Sequence, residues 1–122
     1  MSIQNILFVF LGGGFGSVLR YLISKGLSPV FSTSVTATFL VNILGSFLIG
    51  LLIGLEIKNI ISKQYLLLLV TGFCGGFTTF SAFAFEYHDM LKTGEYSQAL
   101  IYIFASIVLG LLAVGTGFIL SK

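Results

Sequence analysis

Four apolar runs of about twenty residues, separated by short polar connections, constrain this chain more than any other feature. The first extends from about Ile3 to Leu22 and the second from about Val35 to Leu55. The third extends from about Tyr65 to Phe85 and the fourth from about Ala99 to Leu120. Each is long enough to cross the hydrocarbon core of a bilayer as a helix. The connections Lys25–Ser34, Glu56–Gln64 and Glu86–Gln98 are too short for a soluble domain. The chain therefore reads as one all-α transmembrane domain, 1–122, with four helices and both termini on one side of the lipid bilayer. Only 8% of its residues are charged, against about 25% in a soluble domain, so it could not cover a globular surface. Its net charge of +2 gives no argument for nucleic acid. The first run lacks a basic segment ahead of it and reads as a membrane helix, not a signal peptide.

The third run is unlike the others. Thr71-Gly72-Phe73-Cys74-Gly75-Gly76-Phe77-Thr78-Thr79-Phe80-Ser81-Ala82-Phe83 puts glycines, hydroxyls and phenylalanines where a plain membrane helix carries Leu and Val. Gly75-Gly76 is a poor helix interior. The reading is a third helix broken in mid-membrane near these glycines. Lipid cannot satisfy broken backbone, so such a break survives only inside protein or beside water or an ion. It therefore points to a binding or conduction site. Phe77, Phe80 and Phe83 recur every three residues, which places them on one side of a helix, with Thr79 and Ser81 between them. Lone Cys74 excludes an internal disulfide and reads as a small apolar filler.

The remaining runs supply small and polar residues. Gly12 and Gly16 have close-packing spacing, and Arg20 lies one turn further on. Arg20 either snorkels to the interface or is a buried arginine that anchors helix ends or attracts anions. Asn42 is an amide near mid-bilayer, and Gly50 and Gly54 repeat the close-packing spacing. Tyr102 and Ser106 lie one turn apart on the fourth helix and are candidates for a polar track, followed by Gly110, Gly115 and Gly117. The glycine faces exceed what one small bundle needs, which suggests oligomerisation. Lys58, Lys63 and Lys122 stand on the side of the termini, against Lys25, Lys92 and Arg20 on the other. This near-balance gives no strong instruction for orientation, so insertion both ways and an antiparallel dimer are expected.

No Asp, Glu, Lys or His lies well inside an apolar run, Glu86 being at an end, so proton coupling is disfavoured. His88 reads as a solvated residue at the membrane edge. No catalytic set, metal-binding histidine pair or phosphate loop is present, and the chain does not read as an enzyme. What remains is neutral donors (Asn42, Thr79, Ser81), aromatic ring edges, which carry positive potential, and freed backbone. Ring edges can line an anion path without trapping the ion. Carbonyls freed near Gly75 and Thr78 suit a hard cation.

Together, Gly12-Gly13-Gly14-Phe15-Gly16 with Arg20-Tyr21, Val41-Asn42 with Gly45-Ser46-Phe47, and above all Gly72 to Phe83 resemble the Fluc (CrcB-type) fluoride channels. The resemblance covers the whole chain, and the Gly72 to Phe83 motif is its most specific part. It implies an antiparallel, dual-topology homodimer in the inner (plasma) membrane, with two fluoride pathways. It also implies a structural sodium ion held by the carbonyls of Gly75 and Thr78. Phe80 and Phe83 match the pathway aromatics, Asn42 the pore amide and Ser81 a pore hydroxyl. Tyr102 and Ser106 match the polar track, Arg20 the first-helix arginine, and Glu86 an acidic residue near a pore mouth. Ala82 departs from the threonine common in the family, and the Pro and Gly often found before the second helix are absent. The alternatives are a small dual-topology multidrug exporter, which needs a membrane carboxylate that helices 1 and 2 lack, and a non-transporting scaffold.

Overall fold

The computed structural model describes residues 1–31 and 33–122. Ser32, in the first connection, lies outside the described residues. The order of elements is α1 (Ile3–Leu27), α2 (Val35–Ile57), α3 (Lys63–Leu66), a π-helical stretch (Leu67–Cys74), α4 (Gly75–Phe77), α5 (Phe80–Lys92) and α6 (Tyr96–Ser121). α3 through α5 follow one another along a single span, so among the described residues four spans are long and apolar enough to cross a membrane.

The helices run past the apolar segments because their polar ends are still capped. Ser2 Oγ accepts from Asn5 N at 3.1 Å, and Ser62 Oγ accepts from Tyr65 N at 3.4 Å. Lys25 stands in the last turn of α1, where a cation meets the negative end of the helix dipole. Between α5 and α6, Gly94 at φ +80° takes the left-handed conformation that lets Glu95 N reach back to the Met90 carbonyl at 2.9 Å.

Packing divides the bundle into two intimate pairs, α1 against the third span and α2 against α6. Glycine makes both possible. A Cβ on Gly12 or Gly16 would run into the carbonyl oxygens of Leu68 or Phe73. One on Gly50 would meet the Val114 carbonyl, and one on Gly117 the Phe47 carbonyl. The glycine faces expected to be surplus are therefore largely used inside the chain. Gly14 and Gly115, where a Cβ would meet nothing within 4 Å, remain outward.

The break does not fall at Gly75-Gly76. Gly75 is helical, at φ −61° and ψ −38°, and a Cβ on Gly76 would strike the Gly13 carbonyl. Gly76 thus serves close approach to α1. The chain leaves the helix at Thr78 (φ −85°, ψ 158°) and Thr79 (φ −149°, ψ 122°). Wide π winding precedes this point over Leu67–Cys74, a rare geometry that concentrates at functional sites. The break also separates the phenylalanines expected on one helical face. Phe77 is buried and stacks on Phe73 at 5.4 Å, whereas Phe80 opens α5 and is 78% exposed.

Candidate functional site

The site is built around the break. Asn42, on α2, grips the backbone of Thr79 at both ends: Thr79 N donates to Asn42 Oδ1 at 2.7 Å, and Asn42 Nδ2 donates to the Thr79 carbonyl at 3.0 Å. Ser46 Oγ donates to the Asn42 carbonyl at 2.7 Å. Beside this clamp, Gly45 leaves room for the Thr78 methyl. Thr79 Oγ1 then caps α5 by accepting from Ala82 N at 3.2 Å. Two amides are thereby diverted from the carbonyls that a regular helix would offer them. Thr79 N is lost to Gly75 O, and Ala82 N to Thr78 O.

The opposite side of the break is fastened to α1. Arg20 Nε donates to the Gly76 carbonyl at 3.1 Å, and Ser17 Oγ donates to the same oxygen at 3.4 Å. A cation at the C-terminal end of a helical segment offsets the negative dipole end. Arg20 therefore anchors a helix end, one of its two expected roles, and is not a free snorkelling residue.

A cavity of about 310 Å³ lies along the break. Asn42, Thr78, Thr79, Phe80, Phe83 and Ser106 are among its lining, with no charged residue among the described ones. The rings of Phe80 and Phe83 lie 5.8 Å apart, tilted by 44°, and Phe83 meets Tyr102 edge-on at 4.9 Å. Ser106 Oγ is buried with no hydrogen-bond partner among the described residues. Such an orphan hydroxyl is costly unless something is there to bond. Ser81 is exposed, its Oγ 3.3 Å from Thr79 Oγ1.

A second cavity, about 240 Å³, is lined by Arg20, Ser34, Thr38, Thr79 and Glu86 among others. Here the structure corrects the sequence. Glu86 reads as the end of an apolar run, yet α5 continues to Lys92 and Glu86 is only 7% exposed. Three hydroxyls surround its carboxylate: Ser34 Oγ and Thr38 Oγ1 donate to Oε2, the latter at 3.0 Å, and Tyr102 OH donates to Oε1 at 3.0 Å. Tyr102 thus serves Glu86 with its hydroxyl and Phe83 with its ring. Of the residues singled out in the sequence, the first cavity gathers Asn42, Thr78, Phe80, Phe83 and Ser106. Arg20 and Glu86 belong to the second cavity, and Gly75, Ser81 and Tyr102 line neither. Sequence reasoning missed Ser34 and Thr38; a carboxylate on an apolar helix needing donors was the available signal.

Comparison with known proteins places this geometry in context. Residues 7–118 match the family described as CrcB-like protein, Camphor Resistance (CrcB). The chain belongs to the CrcB-like family. Its relatives in that family include the fluoride-specific ion channel FluC of Gloeothece citriformis, 48% identical over 97% of both chains. Another, from Pyrococcus furiosus, is 42% identical over 100% of this chain and 99% of the relative. A third, from Azobacteroides pseudotrichonymphae, is 41% identical over 98% of each. These relatives are named as ion channels, not enzymes, and with its four apolar spans this chain is a multi-pass membrane protein.

Proposed function

We propose that this chain is a fluoride-selective channel that passively exports fluoride and lowers its cytoplasmic concentration. One observation carries the reading: the cavity at the Thr78–Thr79 break combines neutral donors and ring edges with no fixed charge. A small anion bonds to the spare Asn42 N–H and to the unpartnered Ser106 hydroxyl, while the positive edges of Phe80 and Phe83 face it. None of these groups is charged, so the ion leaves as readily as it enters. Arg20 draws the anion toward the break, and Tyr102 fixes both Phe83 and Glu86. The names of the CrcB-like relatives supply the identity of the ion.

The working unit is an antiparallel, dual-topology homodimer with two pathways, in the cell's inner membrane. Phe80 supports this. It is a cavity wall that stands 78% exposed, and a second copy would close it. The near-equal Lys and Arg count on the two sides supports insertion both ways. A structural sodium ion suits the carbonyls of Gly75 and Thr78, hard neutral oxygens whose helical donors are diverted. Two oxygens are too few for a hard cation, so both copies would contribute, giving four carbonyls. The ion would hold the breaks of the two copies together.

The test is efflux from liposomes containing the purified protein, with fluoride and chloride compared side by side. Fast fluoride loss with negligible chloride loss is the expected result. A folded protein that releases neither, or both equally, removes the reading.

A further inference from the structure

Three cavities follow one another along the second half of the third span. The outermost, about 420 Å³, includes Asp89 and Glu95 in its lining and shares Ser34, Phe85 and Glu86 with the Arg20 cavity. The Arg20 cavity in turn meets the aromatic cavity at a single residue. Among the described residues Thr79 alone lines both.

Thr79 has an unusual allotment of hydrogen bonds. Asn42 consumes its backbone N–H and its carbonyl, so only the side chain is left to face a solute. Its Oγ1 accepts the capping bond from Ala82 N, which uses a lone pair and leaves the hydroxyl proton free. Thr79 Oγ1 also lies 3.3 Å from Ser81 Oγ, a long contact that an anion would readily displace. On one side of Thr79 is a cavity whose wall carries the Arg20 guanidinium and also the Glu86 carboxylate, the latter held by three hydroxyls, and on the other is a cavity with no charge among its described lining residues. An anion moving between them leaves its attracting cation before it gains the full set of neutral donors.

We infer that Thr79 is the crossing point between the two cavities, where its hydroxyl donates to the passing anion while Asn42 holds the backbone still. This deepens the fluoride-channel reading and rests on it. Thr79 is then a pathway residue in its own right, beyond its part in capping α5.

Three variants of the full chain in liposomes, with fluoride efflux as the readout, test this. Thr79→Ser keeps both donor and cap and is expected to conduct within about threefold of the parent. Thr79→Val removes both. Thr79→Asp keeps an excellent cap but replaces the donor with a negatively charged acceptor, so it tests whether the anion passes position 79 without removing the cap. Both are expected to lose at least about tenfold in flux, since a hydrogen bond to a charged partner exceeds the roughly 1.4 kcal/mol that tenfold represents. If Thr79→Val fails to assemble, Thr79→Asp decides alone. Parent-like flux in Thr79→Asp overturns the crossing while leaving the channel reading in place. A parent that does not conduct removes both.

Discussion

Replacing Asn42 by alanine tests the clamp at the centre of the site. The substitution deletes the acceptor for Thr79 N at 2.7 Å and the donor to the Thr79 carbonyl at 3.0 Å. Each backbone group left without a partner in a buried setting costs about 1–3 kcal/mol. Two such groups give about 2–6 kcal/mol. The neighbouring cavity has room for water, which would satisfy part of the loss, so the lower half of that range is expected. Thermal unfolding in detergent, followed by loss of the intact assembly on size exclusion, is the assay. A loss of about 2–3 kcal/mol corresponds to a melting shift on the order of 10 °C for a chain of this size. Fluoride flux should fall with it. An unchanged melting temperature would refute the reasoning, because Asn42 would then carry no structural bond of consequence and any flux defect would reflect direct contact with the ion alone.

Other sites give sharper single answers. Gly16→Ala forces a methyl into the Phe73 carbonyl and should destabilise by about 1–3 kcal/mol or more, while Gly14→Ala, facing open space, should be neutral or stabilising by up to about 1 kcal/mol; equal melting temperatures would contradict the packing account. Tyr102→Phe and Thr38→Val each remove one donor from Glu86, and a double-mutant cycle should show coupling of about 0.5–3 kcal/mol; strict additivity would mean the two hydroxyls do not share the carboxylate. Phe80→Ile and Phe83→Ile should each cut fluoride efflux at least about tenfold with assembly preserved, as the edge potential of a ring has no counterpart in an aliphatic chain. Preparing the protein in a bulky organic cation instead of sodium should weaken the assembly, measured by subunit exchange; exchange rates indifferent to sodium would exclude the carbonyl site.

The four spans were legible because apolar length is a property of the local sequence. The break was legible as a fact but not in position. Gly75-Gly76 looked like its cause because glycine weakens helices, yet Gly76 answers to the Gly13 carbonyl on another helix. The true break at Thr78–Thr79 depends on Asn42, far away in the chain, and on a cap local to Thr79. Tertiary hydrogen bonds of this kind leave no periodic trace. The phenylalanine repeat misled for the same reason, since three-residue spacing shares a face only where the helix is continuous. Glu86 looked terminal because Tyr87, His88 and Asp89 follow it, but helix α5 carries on and folds the carboxylate against Ser34, Thr38 and Tyr102. Arg20 was placed correctly on the glycine face of α1; that this face meets the break itself required the packing of α1 on the third span.

The most direct test of the central claim is the reversal potential of single-channel or macroscopic current across a planar bilayer with unequal fluoride and equal chloride on the two sides. A passive fluoride-selective channel predicts reversal at the fluoride equilibrium potential, unmoved by a pH gradient or by changes in chloride. Reversal that follows chloride or the proton gradient, or transport without current, would contradict it.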